Sequence, residues 1–286
     1  MVFVARSASN YSTPELVDLL NRGFEEYFIP IYFNNDMFSN MLRKDGIDLA
    51  DSRVLIADDQ ECGIGLIASR QALNASRVAA MGIAKEARGK GAGSWLMKEL
   101  IDDACDRGDR EMVLEVIEQN EPALKLYRKH GFESMRRLVG FSLKGREVLR
   151  KEGSTLREVD LDRMGLLISQ YGLPDLPWQL SGESITQTNP PLYAYCMEQA
   201  YIVISNPEAE HVVIWSLLVE PEARGKGLGT DLLKRVIAQY PGKMWHVPAI
   251  FPEELEKVFA GAGFKKEDLS QWQMRLKLKA YSPPSR

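Results

Sequence analysis

Cysteine and histidine are scarce in this sequence. Three cysteines and three histidines occur among 286 residues, and the cysteines lie far apart along the chain. Neither a disulfide framework nor a zinc-binding pattern is built on such spacing. We therefore expect a reducing compartment and no metal site.

Long apolar runs and an excess of basic charge are also missing. No stretch reaches the roughly 18 consecutive apolar residues that a membrane-spanning helix needs, and the amino-terminal residues show no secretory signal. The net charge is −4, whereas nucleic-acid-binding domains usually carry a basic stripe. We expect a cytoplasmic protein that binds neither membrane nor nucleic acid.

What the sequence does contain is an internal repeat. Residues 86–91 read EARGKG, and residues 222–227 repeat the same six letters. A predicted strand precedes each copy, over residues 77–83 and 211–219, and a predicted amphipathic helix follows each. The apolar positions of the two helices correspond: Leu96, Met97, Leu100 and Ile101 in the first, Leu232, Leu233, Val236 and Ile237 in the second.

A repeat of this length indicates that a whole domain has been duplicated. We predict one domain over residues 1–150 and a second over residues 154–286, with the boundary near residues 152–155. Each half mixes strands with helices, which predicts an α/β fold (α+β, with a mixed sheet) in two tandem domains.

The repeated loop has the features of a pyrophosphate-binding turn. Its glycines permit positive φ and a close approach of the backbone, and its N–H groups lie at the positive end of a helix dipole. The alternative is a tight strand-to-helix connection, which two copies in the same context disfavour. A P-loop needs Ser or Thr after Gly-Lys, but Gly91 follows Lys90, and the dinucleotide fingerprint needs a third glycine where Ser94 stands.

These residues resemble the acetyl-CoA loop of the GNAT superfamily of N-acetyltransferases. The two copies read Ile83-x-Lys85-x-x-Arg88-Gly89-Lys90-Gly91-x-Gly93 and Val219-x-Pro221-x-x-Arg224-Gly225-Lys226-Gly227-x-Gly229. A further segment resembles the second signature of the superfamily: Leu114-Glu115-Val116, then Asn120-x-x-Ala123-x-x-Leu126-Tyr127-x-x-x-Gly131-Phe132. The resemblance covers about the carboxyl-terminal half of each domain.

The resemblance implies acetyl-CoA as cosubstrate, with its pyrophosphate on the loop amides and its pantetheine beside the preceding strand. It also implies a set of cofactor-binding residues, although Asn120 would serve equally as a helix N-cap. The set is Ile83, Arg88, Gly89, Lys90, Gly91, Ala92, Gly93, Ser94, Asn120, Val219, Arg224, Gly225, Lys226, Gly227 and Gly229.

Two residues of the first domain are candidates for the chemistry. Tyr127 stands where related enzymes place a general acid, and a phenol of pKa about 10 is able to protonate a departing thiolate. Glu115 stands where ribosomal-protein alanine acetyltransferases of the superfamily place a general base. The alternatives are core packing for Tyr127 and a surface strand position for Glu115.

The second domain lacks both groups. Phe259 aligns with Tyr127, and no glutamate matches Glu115. His246 is either a replacement base or a structural residue. We therefore predict the active site in the first domain, while the second binds CoA, walls off the substrate cleft or supports the first.

The expected reaction is direct transfer of acetyl to a primary amine in a ternary complex, because the motif holds no cysteine to carry the acetyl group. The acceptor is either a small-molecule amine or the N-terminal or lysine amine of a protein, and the chain is a monomer or a homodimer. Alternatives are a CoA-binding regulatory or protein-interaction pseudoenzyme, and an O-acetyl or longer-acyl transferase. Aromatic residues follow the first helix and belong to an acceptor cleft or to the core: Tyr27, Phe28, Tyr32, Phe33 and Phe38.

Overall fold

The computed structural model describes residues 2–144, 155–173, 175–188 and 191–278. The elements of the first half are β1 (Phe3–Ser7), α1 (Thr13–Gly23), α2 (Asn35–Asp45), β2 (Ile47–Ala57), β3 (Gln60–Arg70), β4 (Ala75–Ile83), α3 (Ala92–Arg107), β5 (Glu111–Ile117), α4 (Glu121–Lys129) and β6 (Glu133–Lys144). The elements of the second half are β7 (Arg157–Val159), α5 (Leu161–Tyr171), α6 (Gly182–Gln187), β8 (Tyr193–Met197), β9 (Ala200–Ile204), β10 (His211–Val219), α7 (Leu228–Gln239), β11 (Met244–Pro252), α8 (Glu256–Gly261) and β12 (Lys265–Lys277). The predicted mixed α/β class is confirmed.

The chain forms two compact units. The first unit contains residues 1–135 and 272–286, and the second unit contains residues 136–271. Each unit therefore combines one half of the sequence repeat with a segment from the other half. Of the boundary predicted near residues 152–155, residues 152–154 lie outside the described residues.

The sheet of the first unit runs in the order β1-β2-β3-β4-β5, followed by β12 from residue 272 onward. The strands from β1 to β4 pair antiparallel, whereas β4 pairs parallel with β5. That parallel register starts at Ala75 opposite Glu111 and ends at Val78 opposite Leu114. The carboxyl ends of β4 and β5 extend beyond it, so the sheet opens there.

The second unit repeats this arrangement in the order β6-β11-β10-β9-β8-β7, with β6 contributing its residues from 136 onward. The parallel register of β10 with β11 ends at Val213 opposite His246. Beyond that point β10 pairs with β9, whereas β11 pairs with β6 from Met244 to Pro252. The second sheet therefore opens at the equivalent place.

The helix after each loop packs its predicted apolar face on the sheet. In α3, Leu96, Met97 and Leu100 are fully buried. The equivalent residues of α7 are buried as well: Leu232, Leu233, Val236 and Ile237. On the other side of the first sheet, α1 and α2 form a separate core with Leu16, Leu20, Phe38, Ile64 and Leu66. Side chains alternate along a strand, so each face of the sheet is covered by its own helices.

Among the described residues, none of the helices combines the length and the apolarity that crossing a bilayer requires.

Candidate active site

The first loop joins β4 to α3 through a short 3-10 turn, Lys85–Ala87. Gly89 has φ of 75° and Gly91 has φ of 87°, values that L side chains rarely adopt. A β carbon at either position would meet nothing within 4 Å. The glycines are therefore required by the backbone conformation, and open space remains beside them for a ligand.

The second loop has nearly the same backbone. Gly225 has φ of 76° and Gly227 has φ of 84°. Each loop ends where the next helix begins, at Ala92 in the first unit and at Leu228 in the second. The first N–H groups of a helix have no partner within it, so both loops offer donors to an anion.

The motif arginines fasten both loops to the rest of their units. Nε of Arg88 donates to the Ile83 carbonyl oxygen at 2.8 Å, and its Nη2 donates to the carbonyl oxygens of Gly23 at 3.1 Å and Glu25 at 3.0 Å. Sequence reasoning placed both arginines in the cofactor-binding set and missed their backbone contacts. The spacing of five residues between each arginine and its strand carbonyl was the available signal.

Arg224 makes the equivalent contacts in the second unit. Its Nε donates to the Val219 carbonyl oxygen at 3.0 Å, and its Nη2 donates to the carbonyl oxygen of Tyr171 at the end of α5. Lys90 and Lys226 are exposed beside these arginines.

Ser94 at the start of α3 lies next to the end of α4. Its hydroxyl forms a 2.9 Å hydrogen bond with Nε2 of His130, and Nζ of Lys129 lies 3.4 Å from the same oxygen. Burial lowers the pKa of His130, and the Lys129 charge lowers it further. Sequence reasoning did not select His130 or Lys129, although their place just before Gly131 was visible.

The remaining predicted loop residues line the same region. Ala92 is buried under the start of α3, and a β carbon on Gly93 would lie 3.5 Å from Leu126 and 3.7 Å from Ile83. In the second unit a β carbon on Gly229 would lie 3.2 Å from Val258 and 3.4 Å from Val219. Here the absent side chain permits the helix to pack closely on α4 or α8.

Tyr127 lies on α4 with only 9% of its surface exposed. Its ring packs edge-to-face on Phe132, with centroids 5.9 Å apart. Burial raises the pKa of its phenol, and the neighbouring Tyr27 raises it further. The side chain is thus both a core residue and a hydroxyl that keeps its proton at neutral pH.

Asn120 caps α4, because its Oδ1 accepts a hydrogen bond from the Ala123 N–H at 3.2 Å. The N-cap interpretation is confirmed. Its side chain also forms a hydrogen bond with Tyr27. Burial raises the pKa of Tyr27, and this hydrogen bond lowers it. Asn120 and Tyr127 are therefore brought together around Tyr27, a residue that the sequence had left open between cleft and core.

Glu115 takes part in a buried ion pair. Its Oε2 lies 2.8 Å from Nη2 of Arg77, and both side chains are 4% exposed. Nη1 of Arg77 lies 3.7 Å from Oδ2 of Asp45 at the end of α2. Burial alone would lower the pKa of Arg77, but Glu115 and Asp45 raise it above its ordinary value.

Side chains alternate between the two faces of β5, so Glu115 lies on the face opposite the core that contains Tyr127. Leu114 and Val116 pack in that core, and the residue between them on a strand points to the opposite face. The role of Glu115 as a base stays a prediction.

Phe259 fills the equivalent place in the second unit without a hydroxyl. It is fully buried, stacks on Phe141 at 4.7 Å and makes edge contacts with Phe251 and Phe264. His246 lies on β11 with its Nδ1 3.3 Å from Oε1 of Glu267. An aromatic ring is thus kept in both units, and a phenol only in the first.

A cavity of about 520 Å³ lies in the second unit, within the size range of small-molecule sites. It occupies the opening between β10 and β11, beside the second glycine loop. Its walls are mainly apolar and include Leu176, Leu217, Val219, Leu228, Phe251 and Val258. The open cradle over the glycines and this apolar slot fit the pyrophosphate and the pantetheine of a CoA thioester.

Among the described residues, no group of three His, Cys, Asp or Glu side chains is arranged to hold a metal ion.

The model of the acetyltransferase (GNAT) family matches residues 14–132 and 188–250, which together make up more than half of the chain. The chain belongs to the GNAT family. Each matched segment contains one of the glycine loops, so the family pattern occurs in both halves of this tandem GNAT protein.

Two proteins named as acetyltransferases are similar to this chain in sequence. N-alpha-acetyltransferase 30 of Schizosaccharomyces pombe is 31% identical over 100 residues, which are 33% of this chain and 67% of that protein. YwnH of Bacillus subtilis is 38% identical over 63 residues, only 22% of this chain and 39% of YwnH.

Two solved structures share the fold over nearly the whole chain. A GCN5-related N-acetyltransferase from Sphaerobacter thermophilus has a TM-score of 0.71 at 17% identity, covering 97% of this chain and 96% of its own. A tandem GNAT protein from the clavulanic acid biosynthesis pathway has a TM-score of 0.64 at 14% identity, covering 98% and 99%. At these identities the likeness describes the fold alone.

Proposed function

We propose that this GNAT protein is an acetyl-CoA-dependent N-acetyltransferase with its active site in the first unit. The observation that carries the proposal is Tyr127, a buried phenol on α4, the helix that packs against the start of α3 directly after the first glycine loop. The glycine loop of its unit leaves open space for a ligand, as the second loop also does. The equivalent residue of the second unit, Phe259, has no proton to donate.

Acetyl-CoA would be held by the backbone of the first loop. The N–H groups at Gly89, Gly91 and the start of α3 receive the pyrophosphate, with Lys90 adding charge. The pantetheine lies beside Ile83, where β4 and β5 separate. Arg88 acts indirectly, because its guanidinium holds the loop in place through the carbonyl oxygens of Ile83, Gly23 and Glu25.

In the proposed reaction the free amine attacks the thioester carbonyl carbon, a C–N bond forms and the C–S bond breaks. Tyr127 donates its phenolic proton to the departing CoA sulfur. The proton lost by the amine goes to a base, for which Glu115 is our candidate through an intervening water. The products are an N-acetyl amide and CoA, and the phenol regains its proton from solvent.

A second candidate function is CoA binding without chemistry in the second unit. The cavity of about 520 Å³ beside Val219 and Gly227 favours it. In that case CoA thioester bound to the second unit would regulate or stabilise the protein. The acceptor of the first unit would be a small-molecule amine or a protein amine, and the protein would act in the cytoplasm as a monomer or homodimer.

Calorimetric titration with acetyl-CoA, combined with an assay of CoA release in the presence of amines, tests these functions. The matched variants are Lys90→Glu and Lys226→Glu, which reverse one exposed charge in each loop. Amine-dependent CoA release that Lys90→Glu impairs and Lys226→Glu spares would support catalysis in the first unit. Binding without transfer to any amine would favour the regulatory function, and no binding would overturn both.

A further inference from the structure

A connected series of aromatic rings follows α1 in the first unit. Phe33 and Phe24 have ring centroids 6.0 Å apart, Phe24 and Tyr27 4.9 Å, and Tyr27 and Phe28 5.6 Å. All of these contacts are edge-to-face, the geometry that aromatic pairs favour. We call these four residues the aromatic wall. Phe38, in contrast, is fully buried on α2 and belongs to the core.

The aromatic wall runs from the proposed acid toward solvent. Tyr27 hydrogen-bonds Asn120 and interacts electrostatically with Tyr127. The next ring of the wall, Phe28, is 53% exposed. A group that reaches Tyr127 along this route therefore passes over aromatic surface.

The segment that carries the wall is held in place at several points. The amide of Asn21 accepts a hydrogen bond from the Phe33 N–H at 2.8 Å and donates one to the Phe33 carbonyl oxygen at 3.0 Å. Arg88 holds the carbonyl oxygens of Gly23 and Glu25. The ring of Phe28 is thus exposed on a segment whose backbone is held on both sides of it.

Two acidic side chains of this region form ion pairs with cations. Glu26 lies 2.6 Å from Nζ of Lys85, and Glu86 lies 2.5 Å from Nη2 of Arg22. A polyamine would need carboxylates for its several charges. Aromatic faces, in contrast, suit one ammonium carried on an apolar body.

We propose that the acceptor is a primary amine attached to an aromatic ring system, which packs against Tyr27 and Phe28 while its nitrogen reaches the thioester next to Tyr127. This inference rests on the N-acetyltransferase function proposed above. Tyr27 and Phe28 are then the specificity-determining residues of the acceptor site.

The test compares initial rates of CoA release with 2-phenylethylamine, n-butylamine and spermidine at saturating acetyl-CoA. We expect kcat/KM for 2-phenylethylamine to exceed that for the other two amines by at least about tenfold, the effect of burying one ring on a fixed apolar surface. Phe28→Ala should raise KM for 2-phenylethylamine about tenfold with little change in kcat. Phe28→Tyr should restore most of the affinity.

The control is Leu73→Ala, which removes another exposed apolar side chain of the first unit, 60% exposed. It should leave KM for every amine unchanged. Equal or better use of n-butylamine or spermidine would overturn the aromatic acceptor and leave the transferase function standing. An unchanged KM in a folded Phe28→Ala would also overturn it. Binding of acetyl-CoA without transfer to any of the three amines would overturn the aromatic acceptor, and the proposed function would fall with it only if protein N-terminal and lysine amines are not acetylated either.

Discussion

The two units carry the same loop with different surroundings. Their glycines adopt matching φ values, 75° and 76° at the first position and 87° and 84° at the second. Their arginines hold equivalent carbonyl oxygens, Ile83 in one and Val219 in the other. Tyr127 packs on Phe132 and interacts electrostatically with Tyr27 in the first unit, whereas Phe259 is enclosed by other phenylalanines in the second.

The difference teaches that the repeated motif has a structural role that is separable from catalysis. Its arginine and glycines build the connection between strand and helix, and this need exists whether or not a reaction occurs. The loop therefore does not identify the reacting unit. In the proposed reaction the phenol identifies it, because only a hydroxyl at that place has a proton for the leaving thiolate.

The largest effect is expected for Tyr127→Phe, which gives the first unit the phenylalanine that the second unit has at the equivalent place. Losing a general acid typically costs 10²–10⁴ in rate, so we expect kcat to fall at least about 100-fold. The dissociation constant of acetyl-CoA should change little, because the ring that packs on Phe132 is retained. Steady-state kinetics and calorimetry measure the two quantities.

The matched control for Tyr127→Phe is Tyr240→Phe, which removes a phenol from the second unit and its 2.6 Å hydrogen bond to Tyr195. Its kcat should equal that of the unaltered protein. A Tyr127→Phe protein with undiminished kcat would remove the acid role.

The next largest effect is expected for Glu115→Gln, since it leaves the buried Arg77 with only Asp45 at 3.7 Å. Breaking a buried ion pair costs about 3–5 kcal/mol, and we expect a loss of unfolding free energy of that order in urea titrations. Glu111→Gln is the control, because Glu111 lies on the same strand with its partner Arg275 at 3.8 Å and is 38% exposed.

Glu115→Gln also tests whether Glu115 is the general base. If Glu115 takes the proton of the amine, kcat at a temperature where the variant is folded should fall as well. An unchanged kcat beside a lowered stability would limit Glu115 to its structural ion pair.

A smaller effect is expected for the two loop variants Gly91→Ala and Gly227→Ala, which are compared with each other. Both force an alanine into positive φ, at a cost of about 1–2 kcal/mol in stability. We expect equal losses in thermal denaturation, but only Gly91→Ala should raise KM for acetyl-CoA, about tenfold. A larger rise in KM for Gly227→Ala would move the active site to the second unit.

The smallest effect concerns pH. Hydrogen bonding to Lys266 lowers the pKa of Glu253, and Arg137 lowers it further. A carboxyl whose pKa is lower in the folded state stabilises the protein at neutral pH, and this stabilisation is lost as the pH falls below about 4.5. Glu253→Gln should therefore reduce the loss of stability between neutral and acid pH, by less than about 1 kcal/mol because the pair is partly exposed.

Glu121→Gln, at the equivalent place in the first unit, is the control for the pH measurement. Thermal denaturation from pH 7 to pH 3.5 compares the two variants. If the stability of Glu253→Gln and that of the unaltered protein fall equally with pH, this ion pair does not contribute to the pH dependence of stability.

Local patterns predicted much of this molecule. Helical spacing was enough to find the buried face of α3, and glycines in a repeated context were enough to find the loops, since both depend on residues close in sequence. Aligning the two halves placed Phe259 opposite Tyr127.

Contacts between distant residues could not be predicted in the same way. Arg88 binds the Gly23 carbonyl oxygen across 65 positions, and Glu115 meets an arginine on another strand. Tyr27 approaches Tyr127 only because α1 and the segment after it fold over the sheet. In each case a charge or a phenol has many possible partners in the sequence, and the fold selects one.

The membership of residues 272–278 in the first unit sets an order for protein synthesis. Met274 is fully buried in the core that contains Tyr127, so this core closes only after the residues of the second unit have left the ribosome. The unit begun first is thus completed last. A chain terminated early would retain the residues of the proposed chemistry but expose the edge of β5, and open strand edges promote aggregation.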